Sequence, residues 1–495
     1  MFLETLLLLI TIIVGYYWYI YKKAHYYFES KGVKYLRGVP FFGNLMNNLL
    51  RRTHLWEDYD VVYKAFPNER YVGFTDGVCP GIFIRDPEII KHVTVKEFDH
   101  FVNNKDLFPE GEESILKNSL VMLKDEKWRK MKAALSPAFT ASKMREMVPL
   151  MIEISHNIVE YLKEHLTEDI DLDDLMSRYS NDVIASAAFG LQINSLKERD
   201  NIFFKAGKDV FNFSLFQSIR MIFSDHFPSL SKKLGFTVIP KSTSEFFRTL
   251  IASTVDYRIK NKVERRDMIQ LLIQLSTEWT ETELAAQLFV FFVAGFETTG
   301  NTLINCIHEL ALNPHIQDIL YEELKAFKET KGNLVYENIG ELKYLDCVLN
   351  ETMRKWSAAI FVDRICTKPY VLPPPREGGK PCQLKPGEVI YNAVNSIHMD
   401  PKYYEEPEKF IPERFLDENK HKIKPFTFMP FGVGPRYCIG SRFALMEMKI
   451  LLFRLMLNFK VLKCAKTLDP IKMSPVGFNM NIWGGSWVKF QARKA

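Results

Sequence analysis

The chain is 495 residues long, 47% hydrophobic and 25% charged, with a formal net charge of +5 at pH 7. That balance excludes a disordered or collagen-like chain and supplies apolar material for a large core. The basic residues are scattered rather than blocked, which disfavours nucleic acid and favours an acidic membrane surface or protein as partner.

Residues 2–21 are apolar except for Glu4, Thr5, Thr11 and Gly15. About 20 helical residues at ~1.5 Å each match a ~30 Å hydrocarbon layer, so this run can span a membrane. No Lys or Arg precedes it, and Tyr16, Tyr17, Trp18, Tyr19 and Tyr21 close it where a cleaved signal would carry small residues. Those aromatics suit an interfacial belt. Lys22 and Lys23 follow them and place the rest of the chain on the cytoplasmic side. The expected organisation is a signal-anchor helix over residues 1–23 and a linker or hinge over 24–43, ahead of a body that starts at 44.

Gly38-Val39-Pro40 and Gly43-Asn44 make a turn-rich start to that body. Residues 70–74 and 81–85 read as strands about a hairpin at Asp76-Gly77, and Asp86-Pro87-Glu88 as an N-cap with proline at N1. From about residue 110 to 358 the pattern is helical, whereas 364–397 is rich in Pro, Gly and β-branched residues and reads as a small sheet. The expected class is mainly α with a minor β part.

The most informative helix is Glu281–Leu312. Thr280 and Glu283 form a capping box, Asn313-Pro314 a stop, and residues 288–296 are apolar all round, as a buried helix should be. Ala294-Gly295-Phe296-Glu297-Thr298-Thr299 then breaks the pattern. Gly costs ~1 kcal/mol relative to Ala in a helix, and a buried carboxylate costs more unless it is satisfied, so this stretch marks a candidate site. Ala294 and Gly295 would let a flat, bulky group approach the backbone. Thr298 shares the face of Ala294, and its hydroxyl can interrupt the helix ladder and hold a water or a bound oxygen. A helix-packing notch with a back-bonded threonine accounts for the same residues equally well.

The seven cysteines include no C-x-x-C pair and no zinc-like spacing, which argues against a disulfide framework and a structural metal site. Cys438 stands apart from the rest. Phe431 and Gly434 precede it, Arg436 lies two residues back and Gly440 two ahead. Glycines let the backbone approach a planar group and permit positive φ, and Arg436 can pair with an anionic substituent. Leu445, Met448, Leu452 and Leu455 recur at helical spacing beyond, so a helix N-terminus would favour a thiolate at Cys438. The segment reads as a metal-ligating thiolate loop.

Phe431-x-x-Gly434-x-Arg436-x-Cys438-x-Gly440 resembles the haem-binding signature of the cytochrome P-450 family, the haem-thiolate monooxygenases. Five fixed positions at about 5% usage each would arise by chance in ~500 starts with a probability on the order of 10⁻⁴. Ala294-Gly295-x-Glu297-Thr298-Thr299 is similar to the family's oxygen-activation motif. Glu351-x-x-Arg354 with Pro412-Glu413-Arg414-Phe415 resembles its buried network of Glu351, Arg354 and Arg414, although Glu351 and Arg354 alone would read as a solvated pair. Trp128-x-x-x-Lys132 resembles its haem-propionate motif, with Lys132 where Arg is usual. A second departure is Lys355-Trp356-Ser357-Ala358-Ala359, where the family has a proline-containing stretch. Residues 364–370 and 412–415 look like the microsomal branch, most like insect xenobiotic-metabolising members.

The resemblance implies the cytochrome P-450 fold, with a single haem domain over residues 44–495, and haem b held through Cys438 as axial iron ligand. It implies cofactor contacts from Arg436, Phe431, Gly434, Gly440, Trp128, Lys132, Arg364, Ala294 and Gly295, and proton supply by Glu297 and Thr298. No dinucleotide fingerprint or flavin motif is present, so the electrons come from outside. The family implies NADPH as their source, through NADPH-cytochrome P-450 reductase, with cytochrome b5 as a further candidate. O2 and a hydrophobic small molecule are the implied substrates, and the cytoplasmic face of the endoplasmic reticulum membrane the implied location. Lys127, Arg129, Lys130, Lys422 and Lys424 read as a basic docking face or as a merely solvated set. Phe108, Phe211, Phe213, Phe216, Phe361 and Phe478 fall in segments that line the family's pocket, while core packing is the ordinary role for any one of 38 phenylalanines. The aromatic-rich stretch 210–240, with Ile222, Phe223 and Phe227, is expected to dip into the membrane. Competing readings are a haem-thiolate isomerase or dehydratase needing no external electrons, against which Glu297-Thr298 argues, and a membrane-tethered haem-binding protein.

Overall fold

A computed structural model describes residues 2–40, 42–106, 115–211, 217, 220, 223–224, 227–237, 239–265, 267–275 and 279–493. The chain forms two compact units from alternating segments. The first comprises Met1–Leu107, Ala359–Pro407 and Ile423–Tyr437, the second Phe108–Ala358, Glu408–Lys422 and Cys438–Ala495.

The first unit begins with the helix Phe2–Lys31, long and apolar enough to cross a membrane. It runs eight residues past the expected end of the anchor, so the linker starts as helix. Ala24, His25 and Phe28 are buried, and the Phe28 ring stacks on Tyr35 with centroids 5.1 Å apart. The last turns of this helix thus belong to the globular body. Gly73 permits the contact, because a Cβ there would collide with the Phe28 ring.

The unit's main sheet has strand order Tyr71–Asp76, Cys79–Ile84, Val389–Asn392, Val362–Ile365. The first two strands are the expected hairpin, paired from Tyr71↔Ile84 to Asp76↔Cys79, so the turn is Gly77-Val78, one residue later than expected. Gly77 has φ 58°, which a tight hairpin turn of this length requires. Val389–Asn392 joins the hairpin in parallel and pairs antiparallel with Val362–Ile365. Tyr59 packs on Phe74, Phe83 and Phe361 at centroid separations of 5.0 to 5.6 Å, and Phe361 also meets Tyr391. Phe361 is therefore part of this aromatic core. Asp86 caps the helix Pro87–Lys91 as expected, accepting from Glu88 N at 2.9 Å.

The second unit is mainly helical, with a three-stranded antiparallel sheet in the order Ile170–Asp171, Trp487–Ala492, Phe459–Lys463. Its longest helix is Glu281–Leu312, with the expected bounds and the expected capping box. Thr280 Oγ1 accepts from Glu283 N at 3.2 Å and Glu283 Oε2 from Thr280 N at 3.0 Å. Its first half packs in a cluster of Phe189, Phe203, Phe247, Phe289 and Phe292, all buried. Full burial of one such ring contributes about 1.5–3 kcal/mol. The second half lies on the helix Leu172–Ile184, where Gly300 would bring a Cβ within 3.3 Å of Ser180 Oγ.

Phe108, Phe213, Phe216 and Ile222 lie outside the described residues, as does part of the stretch expected to meet the membrane. Within it, Phe223 and Phe227 pack against each other at 5.2 Å, and Phe227 is exposed.

Candidate functional site

In the second unit, Cys438 immediately precedes the helix Ser441–Asn458, whose N-cap is Gly440. The backbone N–H groups of Gly440 and Ser441 donate to the Cys438 sulfur. Among the described residues it is the only exposed cysteine. Its residue surface is open, yet protein surrounds the sulfur at longer range, so desolvation pushes the thiol above its ordinary value, while these donors and the charge of Lys132 oppose the shift. Those donors and the Lys132 charge are the groups that would favour a negative sulfur on metal binding. Gly440 itself has an ordinary φ of −86°, and its added Cβ would come no closer than 3.9 Å to the Phe139 ring, so neither strain nor crowding within the protein demands glycine there.

Trp128 and Lys132 share a face of the helix Asp125–Leu135, with the ammonium 5.5 Å from the buried indole centroid. Lys127, Arg129 and Lys130 project from the same helix into solvent, and Lys422 is exposed as well.

The helix Glu281–Leu312 is not buried all round. It opens at Ala294 and Thr298, which are exposed one turn apart on one face. The Thr298 hydroxyl donates to Ala294 O at 2.6 Å, and the helix continues without a break. The interruption expected there is absent because the hydroxyl bonds back along the helix while every ladder position is kept. Its lone pairs can still accept a hydrogen bond from the open side. Gly295 points elsewhere. Its added Cβ would sit 3.0 Å from Ile184 Cδ1, so it serves close packing of two helices rather than the Ala294 face.

Glu297 is half-buried on another side of the helix, where it lines a cavity of about 190 Å³ with Phe211, Ser474, Phe478 and Asn479. Burial pushes its carboxyl above the ordinary range, Lys208 and a hydrogen bond from the Asn479 side chain oppose that, and Asp173 adds to it. Phe211 stacks on Phe296 at 5.8 Å, and Phe478 is exposed.

Glu351 and Arg354 form a fully buried bidentate pair, with Nε–Oε2 at 2.7 Å and Nη2–Oε1 at 2.9 Å. Glu351 also accepts from Ile411 N at 2.9 Å and from Arg414 Nε at 3.4 Å. The three charged residues are thus brought together, far from the solvated pair that spacing alone would give. The atypical stretch after this helix is tied down as well: Trp356 Nε1 and Lys355 Nζ each reach Glu309 Oε1 at 2.8 Å.

In the first unit, Arg364 lies on the strand Val362–Ile365 and is 1% exposed. Its Nη1 donates to Asn104 Oδ1 at 2.9 Å and to Asp363 O at 2.6 Å. Its Nε is buried with no hydrogen-bond partner, and burial pushes the guanidinium down to about 10 against the attraction of Asp363. Arg436 donates from Nε to Val102 O at 2.9 Å, so residues 102–104 brace both arginines. Gly432 and Gly434 have φ of 74° and 73°, and a Cβ on Gly434 would collide with the Thr94 carbonyl oxygen. Phe431 packs beside Tyr437 with centroids 6.2 Å apart.

These features test whether an iron porphyrin fits. A single exposed cysteine with N–H donors on its sulfur suits one soft metal bond. A buried guanidinium with an orphaned Nε suits a carboxylate such as a propionate. A mid-helix stretch whose exposed positions are the small Ala294 and the hydroxyl-bearing Thr298 suits a flat, apolar ring. Within each unit taken by itself, the residues fit the part of such a group that they would meet.

Sequence reasoning missed Asn104, Asn301, Asn305, Lys208 and Asn479. The spacing of Glu297, Asn301 and Asn305 along one helix face was a legible signal for two of them. The others lie on loops and other helices, with no local pattern that links them to the site.

A mainly helical body with a minor sheet, an N-terminal helix long and apolar enough to cross a membrane, and an exposed cysteine just ahead of a helix are the features of a haem-thiolate protein. The cytochrome P450 family model matches residues 33–486. The chain is 39% identical to cytochrome P450 9e2 of Blattella germanica, over 95% of this chain and 94% of that protein. It is 36% identical to probable cytochrome P450 9f2 of Drosophila melanogaster, over 94% and 95%. It is 34% identical to cytochrome P450 9b2 of Drosophila melanogaster, over 98% of each. The chain belongs to the cytochrome P450 family, and is a haem-thiolate monooxygenase that takes O2 and a hydrophobic substrate.

Proposed function

We propose that this chain oxidises lipophilic xenobiotics, or endogenous compounds of like character, by inserting one oxygen atom from O2 with electrons from NADPH. The electrons arrive through NADPH-cytochrome P-450 reductase, with cytochrome b5 as an auxiliary donor, and the chain works from the cytoplasmic face of the endoplasmic reticulum. The helix Phe2–Lys31, long and apolar enough to cross a membrane, supports that setting, and membership of the family supports the reaction. Exposed Lys127, Arg129, Lys130 and Lys422 support an acidic electron donor. In this reading residues 44–495 act as one haem domain.

The single observation that carries the reading is the exposed Cys438 with its sulfur held by the N–H groups of Gly440 and Ser441. When bound, haem supplies an iron centre at which O2 is activated, with the cysteine thiolate favouring O–O cleavage. Cys438 would hold the iron through its sulfur. Phe431, Gly434 and Gly440 shape its loop, and Gly434 is needed for the turn. Arg364, Arg436, Trp128 and Lys132 would hold the propionates, Lys132 with charge but without a bidentate fork. Ala294 keeps the helix slim where the ring would lie, while Gly295 lets the same helix pack closely on Ile184. Thr298 organises a hydrogen bond at the open face and Glu297 supplies protons.

The test is the difference spectrum of the reduced, carbon-monoxide-treated protein beside Cys438→Ser. A Soret band shifted far to the red in the parent and lost in the variant is expected. A spectrum of the histidine-ligated kind would refute the Cys438 assignment. Product formation that requires both NADPH and reductase is expected to follow, and turnover with neither would refute the proposed electron route.

A further inference from the structure

The helix face that carries Glu297 also carries Asn301 and Asn305, at i, i+4 and i+8, and His308 beyond them. Residues 473–482 form a hairpin joined by the bridge Met473↔Ile482, with Ser474 N donating to Asn481 O at 2.7 Å. Hairpin and helix face meet rung by rung. Asn305 Nδ2 donates to Met480 O at 2.9 Å, Asn301 Nδ2 to Asn481 Oδ1 at 2.6 Å, and the Asn479 amide to the Glu297 carboxylate. Past the hairpin, His308 Nδ1 pairs with Ser486 Oγ at 2.8 Å. Asn301 and Asn305 are 2% and 0% exposed, so sliding the hairpin along the helix would strand buried amides.

Glu297 and Asn479 make the last rung, and that rung borders the 190 Å³ cavity, which Ser474 and Asn481 also line. The cavity is large and polar enough to hold water. Lys208 of the helix Ile202–Val210 and Asp173 of the helix Leu172–Ile184 are the charged groups that act on Glu297 besides this amide. Lys208 also donates to Ser177 Oγ at 3.0 Å.

We propose that Asn479 is a positioning residue for the Glu297 carboxyl, holding it toward the polar cavity so that Glu297 takes its proton from water there. The proposal rests on the reading of Glu297 as proton donor. The balance is simple: cavity water gives a proton to the carboxylate, the carboxylic acid gives that proton up when the reaction consumes one, and the water draws its replacement from solvent. Without the amide, the carboxyl loses both its direction and a donor that favours its ionised form.

The test uses the full-length holoenzyme with Asn479→Leu, Asn479→Asp and Glu297→Gln. The infrared carbonyl band of protonated Glu297, identified by its loss in Glu297→Gln, is followed against pH, and product per NADPH is measured in parallel. The band should titrate at higher pH in Asn479→Leu, where a donor is lost, and higher still in Asn479→Asp, where a like charge is added. Product per NADPH should fall about tenfold in Asn479→Leu while the thiolate-type Soret band persists. An unmoved titration in both variants overturns the placement of Glu297 by Asn479. A moved titration with unchanged product in all three variants instead overturns the donor role of Glu297, and a parent without the red-shifted Soret band overturns the haem assignment itself.

Discussion

Two glycines of the cysteine loop differ in what they do. Gly434 combines φ of 73° with a collision between any Cβ and the Thr94 carbonyl oxygen, and backbone oxygens do not move aside. Gly434→Ala should therefore cost at least about 2 kcal/mol of stability, read as a lower denaturation midpoint, and lower haem content with it. Gly440 has no such constraint from the protein. Gly440→Ala should leave the midpoint of the haem-free chain within about 0.5 kcal/mol of the parent. A loss of haem affinity in that variant would show that this glycine serves the bound ring. The motif marked both positions alike, and only their φ angles and neighbours separate them. For Thr298, Thr298→Val keeps the shape but removes the hydroxyl that faces the open side. It should leave substrate binding intact and divert most reducing equivalents away from product, measured as product per NADPH.

Elements are joined here by buried charge. The helix Lys343–Lys355 presents Glu351 and Arg354 to the segment that carries Ile411 and Arg414, and the pair is wholly out of water. Removing one partner strands the other, so Glu351→Gln or Arg354→Leu should cost about 3–5 kcal/mol. Arg354→Lys should not restore the loss, because an ammonium cannot reproduce two parallel hydrogen bonds. Arg414→Leu should cost less, since its contact is longer. Spacing placed Glu351 and Arg354 one turn apart but could not bury them; burial depends on residues 409–414, some 60 positions downstream. The stretch that departs from the family pattern is explained at this scale too. Trp356 and Lys355 converge on Glu309, which tethers the end of one helix to the long helix Glu281–Leu312. Trp356→Phe should destabilise by about 1 kcal/mol, as expected for one hydrogen bond to a carboxylate that keeps a second partner. Equal midpoints for parent and variant in a denaturant titration would dismiss the tether.

For the molecule as a whole, the point at which the N-terminal apolar helix joins the first unit is set by packing rather than by hydropathy. Residues 3–8 of the apolar helix are exposed, whereas Ala24, His25 and Phe28 are buried on the first unit. Deleting residues 2–23 should leave the Soret band and denaturation midpoint unchanged and reduce association with vesicles. Deleting residues 2–31 should lower the midpoint as well, because it removes Phe28 from its place against Gly73 and Tyr35. Equal midpoints for the two truncations would return the boundary to the hydropathy edge. Both units are closed by distant segments: Cys79–Ile84 pairs with Val389–Asn392, and the strand Ile170–Asp171 with Trp487–Ala492. Such non-local pairing delays closure of either unit until much of the chain is made.

The sequence by itself determined the family, an N-terminal helix long and apolar enough to cross a membrane, the cysteine loop and the long helix with its capping box. These are set by local chemistry: hydropathy, helix caps, and residue types at fixed short spacings. Tertiary structure decided what spacing cannot encode. It turned Gly295 toward Ile184, left Ala294 and Thr298 open, buried Glu351 with Arg354, and aimed Glu297 at a cavity shared with Asn479. Each of those outcomes depends on which partner occupies the far side of an element. That partner comes from a remote part of the chain, so it is fixed by packing and by the need to satisfy buried polar groups.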